Sequence, residues 1–255
     1  MRIARRSLLP LFPAALLPLA AVSKTRPLTV AAASDLRFAL DELLQGFDAQ
    51  GRRVEVVYGS SGKLSTQIRN GAPFDLFLSA DRSFAEDLAA QGHAAGPAQP
   101  YALGFLALWS LDAELGRLSL PALLRHPKLT RLAIANPTHA PYGLRAEQAL
   151  RHQGLWEVAK PKLVLGDNIA QAAQFVQSGA AQAGMVALAL VKAPALQGQG
   201  AFTRIPADWH EPLEQALIVT RRAAGDALAA RLAAYIQSAQ AQALLARYGF
   251  ERLSP

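Results

Sequence analysis

The apolar positions of this chain change their period repeatedly, from short solid runs to a helical spacing and back. Residues 28–33 form a solid run, Leu-Thr-Val-Ala-Ala-Ala, which predicts a buried strand. Ser34 and Asp35 follow as a helix start with an acid in its first turn. Leu36, Leu40, Leu43, Leu44 and Phe47 then recur at helical spacing. Residues 54–58 predict a second strand, broken by Gly59-Ser60-Ser61-Gly62, and Leu64 with Ile68 opens a second helix. A turn at Asn70-Gly71-Ala72-Pro73 leads to a third strand over 76–78. Residues 92–104 are rich in Gly, Pro and Ala and read as a crossing between lobes.

The alternation restarts at 105–109 and 132–134. The segment 136–143 (Asn-Pro-Thr-His-Ala-Pro-Tyr-Gly) reads as a loop before a helix over about 144–153. Residues 164–165 lead through Gly166-Asp167-Asn168 into a helix over 169–177, and 184–190 predict one more strand and turn. Residues 217–219 begin the closing portion, where Leu228, Leu232, Tyr235 and Ile236 mark an amphipathic helix. Strands alternating with helices predict an α/β fold with a largely parallel sheet, whose ligands gather at the carboxyl ends of the strands.

The first residues break this pattern. A short basic stretch with Arg2, Arg5 and Arg6 precedes an apolar run over 8–22, and Ala21-Val22-Ser23 offers small residues to a signal peptidase. This is the form of a cleavable secretory signal over 1–23, of the general secretory type, and it predicts export to the periplasm. Its removal changes the charge picture. The 255-residue chain carries +7, but without 1–23 there remain 23 basic against 19 acidic side chains, a balance of +4. Nucleic acid is therefore not an expected partner. A hydrophobic content of 51% excludes intrinsic disorder, and the absence of cysteine excludes a disulfide scaffold, a cysteine-ligated metal and a lipoprotein anchor.

Catalytic motifs fail on inspection. A nucleophile elbow needs Gly two residues after Ser61, where Lys63 stands. A Walker loop ending on Gly62-Lys63 needs Gly at 57 and Ser or Thr at 64, which are Val57 and Leu64. His93, His126, His139, His152 and His210 are too scattered for a zinc face. Trp109, Trp156 and Trp209 read as packing residues, since basic residues do not interleave them in the way a nucleic-acid platform requires.

What remains is a pair of strand-to-helix turns that each carry a serine, Ser34 and Ser61. A helix N-terminus presents unpaired N–H groups and partial positive charge, so two such ends with hydroxyl donors make an anion site without Lys or Arg. Here the chain resembles a known family. Ala31-Ala32-Ala33-Ser34-Asp35, Gly59-Ser60-Ser61-Gly62 with Gln67-Ile68, and the run from Asn70 through Gly71-Ala72-Pro73 to Ser79-Ala80-Asp81 are similar to the molybdate-binding periplasmic proteins of ABC transporters. So are the 136–143 loop, residues 184–189 and the ending Arg247-Tyr248-Gly249-Phe250.

The resemblance covers about 27–252 and implies a two-lobed α/β fold. Each lobe is a mostly parallel sheet flanked by helices, with the ligand in the cleft between them. With the restart of the pattern, it implies one lobe from 24–103 with 208–255 and another from 104–207. It assigns the ligand to Ser34 and Ser61 (hydroxyl and N–H) and to the backbone donors of Tyr142 and Ile169. Many members carry a ligand tyrosine in the segment where this chain has Ala187, and a subgroup carries it where Tyr142 stands, so the phenol donor is assigned to Tyr142. That subgroup can have an uncharged amide at the position of Asp35. A carboxylate facing a dianion repels it, so Asp35 is expected to turn outward and to contribute at most its backbone N–H.

The expectation is a soluble, monomeric periplasmic receptor, not an enzyme and without a cofactor. It captures molybdate, and tungstate with it, and delivers the anion to an inner-membrane ABC permease. Molybdenum enters only as the oxyanion, through Ser34, Ser61, Tyr142 and Ile169. Molybdate and tungstate are fully deprotonated at neutral pH, so donors alone satisfy them, whereas phosphate keeps a proton and needs an acceptor. A receptor for sulfate or phosphate is the alternative, and Asp35 keeps phosphate open. A secreted hydrolase is the remote alternative, which a convergent Ser-His pair would revive.

Overall fold

The computed structural model describes residues 26–253, so the expected signal peptide over 1–23 lies outside the described residues. Ten strands form two five-stranded sheets. The first contains β1 (Leu28–Ala33), β2 (Val54–Gly59), β3 (Leu76–Ser79), β4 (Gln99–Gly104) and β10 (Leu213–Val219) in the order β2-β1-β3-β10-β4. The second contains β5 (Leu106–Ser110), β6 (Leu132–Ala135), β7 (Leu163–Gly166), β8 (Ala183–Ala187) and β9 (Ala201–Arg204) in the order β7-β6-β8-β5-β9. The plan is the same in both. In the first sheet β10 runs antiparallel to its neighbours β3 and β4 while β1 pairs in parallel with β2 and β3. In the second β5 runs antiparallel to β8 and β9 while β6 pairs in parallel with β7 and β8.

The helices are α1 (Arg37–Gln45), α2 (Ser61–Arg69), α3 (Arg82–Ala90), α4 (Ala113–Gly116), α5 (Leu120–Arg125) and α6 (Pro141–His152). They continue with α7 (Trp156–Ala159), α8 (Ile169–Gln177), α9 (Leu188–Val191), α10 (Ala227–Ile236) and α11 (Ala239–Arg247). Among the described residues none is long and apolar enough to cross a membrane.

The two-residue alternation of a strand explains why the first sheet needs cover on both faces. Val30, Ala32, Leu76, Leu78 and Leu217 meet Leu40 and Leu43 of α1, Leu232 of α10 and Leu245 of α11 on one face. Ala31, Phe77, Ala216 and Ile218 meet Leu64 and Ile68 of α2 and Leu88 of α3 on the other. The second sheet has its own core, in which Trp109, Leu132, Ile134 and Met185 pack with Leu150 of α6 and Val176 of α8.

Two expectations from the pattern shift. The stretch 92–104 is not all linker, because its end is strand β4, whose alternation is obscured by Pro100 and Gly104. The helix expected from about 144 starts at Pro141, with proline at its first position, so Tyr142 lies in the first turn of α6 rather than in a loop.

Candidate functional site

The carboxyl ends of five parallel-paired strands point toward one place. β1 ends at Ala33 and passes into a 3-10 turn over Ser34–Leu36, and β2 ends at Gly59 and passes through Ser60 into α2. β3 ends in Ser79 and Ala80 follows. From the other sheet, β6 runs into the segment that starts α6, and β7 into Asn168 and α8. Between them lies a small, nearly filled cavity, lined by Ala33, Ser34, Asp35, Gly59, Ser60, Ser61, Ala80, Ala140, Pro141, Tyr142 and Ile169. All five residues singled out from the sequence therefore border one cavity, and no Lys or Arg lines it.

Each donor is held by its element. Ser61 is the first residue of α2 and fully buried, and its Oγ accepts from Ala80 N at 3.0 Å, which leaves the hydroxyl proton to be donated. Ser34 Oγ accepts from Ala170 N of α8 at 3.3 Å and likewise keeps its proton. Neither serine is a cap: Ser60 and Ala140 occupy the N-cap positions of α2 and α6, and neither caps its helix through a side chain. The opening N–H groups of these helices thus have no side-chain acceptor of their own, and their dipoles add positive potential at the cavity. Ile169 is the first residue of α8, whose N-cap Asn168 accepts from Gln171 N at 3.1 Å.

Asp35 corrects the expectation that it turns outward. It is 1% exposed, and its Oδ2 accepts from Tyr142 Oη at 3.0 Å and from Gln215 Nε2 at 2.5 Å. Gln215 Oε1 in turn accepts from Tyr101 Oη at 2.7 Å. The reason is local: the 3-10 turn after β1 directs the side chain under α6, where the two fixed donors offset part of the cost of burying the carboxyl. Burial pushes its carboxyl up to about 6, against the lowering effect of the bonds from Gln215 and Tyr142. Asp35 Oδ1 is buried and has no hydrogen-bond partner among the described residues. The Tyr142 phenol, assigned to the ligand from the sequence, spends its proton on this carboxylate. Burial, then the charge of Asp35, raises its pKa well above the ordinary tyrosine value.

A clasp closes the rim. Gly62 N donates to His139 O at 3.0 Å, and a Cβ on Gly62 would stand 2.6 Å from that oxygen, so only glycine permits the approach. Lys63 of α2 pairs with Asp167. Ser60 Oγ lies 2.9 Å from His139 Nδ1, so a serine–histidine pair does exist. It is not a nucleophile and base, because Asp167 is 3.8 Å from Nε2, beyond a hydrogen bond, and is held by Lys63. Burial and then Lys63 lower the His139 pKa, so the ring is a neutral contact between the two halves. Arg145 of α6, nearly buried, makes a second bridge, to Asp81 at 2.8 Å.

Sequence reasoning missed four of these partners. Ser60 and His139 stood in quoted motifs beside the residues chosen, and Arg145 sits one turn beyond Tyr142. Gln215 had a signal: it is a polar residue at the inward parity of Leu213 and Leu217 in an apolar strand.

Comparison with known proteins adds the lineage. Residues 28–251 match the family model described as bacterial extracellular solute-binding protein. The molybdate-binding protein of Azotobacter vinelandii is 35% identical over 235 residues, 91% of this chain and 92% of that protein. That of Rhodobacter capsulatus is 34% identical over 201 residues, 78% of each chain. The solved periplasmic molybdate-binding protein of A. vinelandii superposes with a TM-score of 0.82 at 34% identity, covering 89% of this chain and 99% of that one. The sulfate-binding protein of Mycobacterium tuberculosis shares the fold, with a TM-score of 0.70 at 17% identity over 91% and 88% of the two chains. These relatives are solute-binding receptors, not enzymes.

Proposed function

The chain belongs to the bacterial extracellular solute-binding proteins, and from that premise we propose that it is a periplasmic receptor for molybdate, with tungstate as a second ligand. One observation carries this reading: Ser34, Ser61, Tyr142 and Ile169 converge on a small cation-free cavity at the starts of α2, α6 and α8. The hydroxyls of Ser34 and Ser61 and the N–H groups of Tyr142 and Ile169 donate to the oxygens of the anion, and the metal itself takes no protein ligand. Neutral donors and helix ends hold a compact dianion without a competing counter-ion.

Residues 24–103 with 208–255 are one lobe and 104–207 the other. They close over the anion through the clasp of Gly62, His139, Lys63 and Asp167. The closed receptor, a monomer exported by the signal at 1–23, presents its cargo to an inner-membrane ABC permease. Asp35 favours one second reading, a receptor for a protonated oxyanion such as hydrogen phosphate, since a buried acceptor suits a ligand proton. Calorimetric titration of the purified protein with molybdate, tungstate, sulfate and phosphate separates the two. Tight binding of the first pair alone supports the molybdate reading, and binding of phosphate alone overturns it.

A further inference from the structure

Asp35 presents a chemical contradiction: a carboxylate borders a cavity read as a dianion site. The surroundings show how it is resolved. Oδ2 is saturated by Tyr142 of α6 and Gln215 of β10, both donors, while Oδ1 is buried with no partner among the described residues. Tyr101 of β4 stands behind Gln215, and neither tyrosine is ionised near neutral pH. The other elements packed on this turn offer no cation: α8 and α9 contain no ionisable residue. On α1, Arg37 and Asp41 are exposed, and Glu42 is held by Arg247 and Tyr248. On α6, Arg145 is already paired with Asp81 and Glu211, so a second negative charge arriving beside an ionised Asp35 would meet helix ends but no free cationic side chain.

We propose that Asp35 is the proton-carrying member of the site: when a tetrahedral dianion enters, Asp35 Oδ1 takes one proton from a solvent hydronium or buffer acid, whose bond to that proton breaks, keeps it, and offers it as a hydrogen bond to an oxygen of the anion. The bond formed is O–H at Oδ1. Oδ2 keeps its two donors, and the carboxyl, now neutral, changes from a repelling group to a hydrogen-bond donor. A buried carboxyl with both its side-chain donors on one oxygen is suited to this, because the other oxygen is the one left to take the proton. The inference rests on the oxyanion reading above.

Calorimetry with sodium molybdate in two non-oxyanion buffers of different ionisation heat counts the protons exchanged. For the unsubstituted protein near pH 7.5, about one proton is taken up, and Kd weakens about tenfold between pH 7 and 8, the slope of a one-proton linkage. Asp35→Asn, which supplies the donor permanently, binds with no proton exchange and a flat profile. Molybdate binding by the unsubstituted protein with no proton uptake and a flat Kd overturns the proposal and leaves the receptor reading intact. No binding of molybdate at any pH from 6 to 8 removes the receptor reading itself, and the proposal with it. The proton count needs no variant, so a poorly folding Asp35→Asn does not blunt the test.

Discussion

The Tyr142 hydroxyl donates to Asp35 Oδ2 at 3.0 Å, joining a helix that follows β6 to a turn that follows β1. This bond links the two halves of the molecule and is made only when they are together. Tyr142→Phe deletes it while keeping the ring and the backbone N–H. With Asp35 protonated in the bound state this is a hydrogen bond between neutral groups, which contributes about 0.5–1.5 kcal/mol, so molybdate affinity is expected to fall roughly two- to tenfold in a calorimetric titration. Unchanged affinity would mean that closure does not depend on this bond.

Ser34→Ala and Ser61→Ala each remove a hydroxyl whose oxygen is fixed by an N–H and whose proton is free to donate. Each is expected to weaken molybdate binding by about one to two decades. A melt without ligand checks that Ser61→Ala, which also strips Ala80 N of its acceptor, remains folded. Wild-type affinity in both variants would remove these serines from the site.

Gly62→Ala tests closure by shape. The new Cβ would lie 2.6 Å from His139 O and 3.1 Å from His139 Cα, inside contact distance of rigid backbone. Open halves accommodate the methyl, so stability without ligand should change little, while affinity should drop more than tenfold. Retained affinity would show that the ligand-bound state does not use this approach.

Asp35 sets a pH window for stability. Its folded pKa, about 6, is raised above the ordinary aspartate value of 3.8. The folded protein therefore binds the extra proton, and this group's contribution is full below about pH 4 and lost as pH rises through about 6. Asp35→Asn removes the titration. The stability of the variant relative to the parent should rise between pH 4 and 8, by up to about 3 kcal/mol. Denaturant melts of both proteins across that range measure it, and parallel curves would contradict the assignment.

The strands of both centres were legible because burial on two faces demands solid apolar runs, as at Leu76-Phe77-Leu78 and Leu132-Ala133-Ile134. β4 was not, since Pro100 and Gly104 imitate a linker. Gly104 has its own reason: a Cβ there would come within 2.4 Å of Tyr142 Oη and 2.8 Å of Gln215 Nε2. A single serine at a strand-to-helix turn reads as an ordinary N-cap; these two were legible because they are paired and stand in the motifs that carry the family resemblance. The direction of Asp35 was not, because it depends on Gln215, 180 positions away in the chain, and local spacing carries no trace of that pair.

The strand order has a consequence for how the molecule is made. The second sheet is assembled from one unbroken stretch, Leu106 to Arg204. The first is interrupted: β3 and β4 are not neighbours but flank β10, which arrives only at Leu213–Val219. On a chain that emerges from its amino end, β1, β2 and β3 can pair early, yet β4 has no partner until more than a hundred later residues have appeared. The half that begins the sequence is thus the half that finishes folding last, and its β3 edge stays unpaired until β10 arrives.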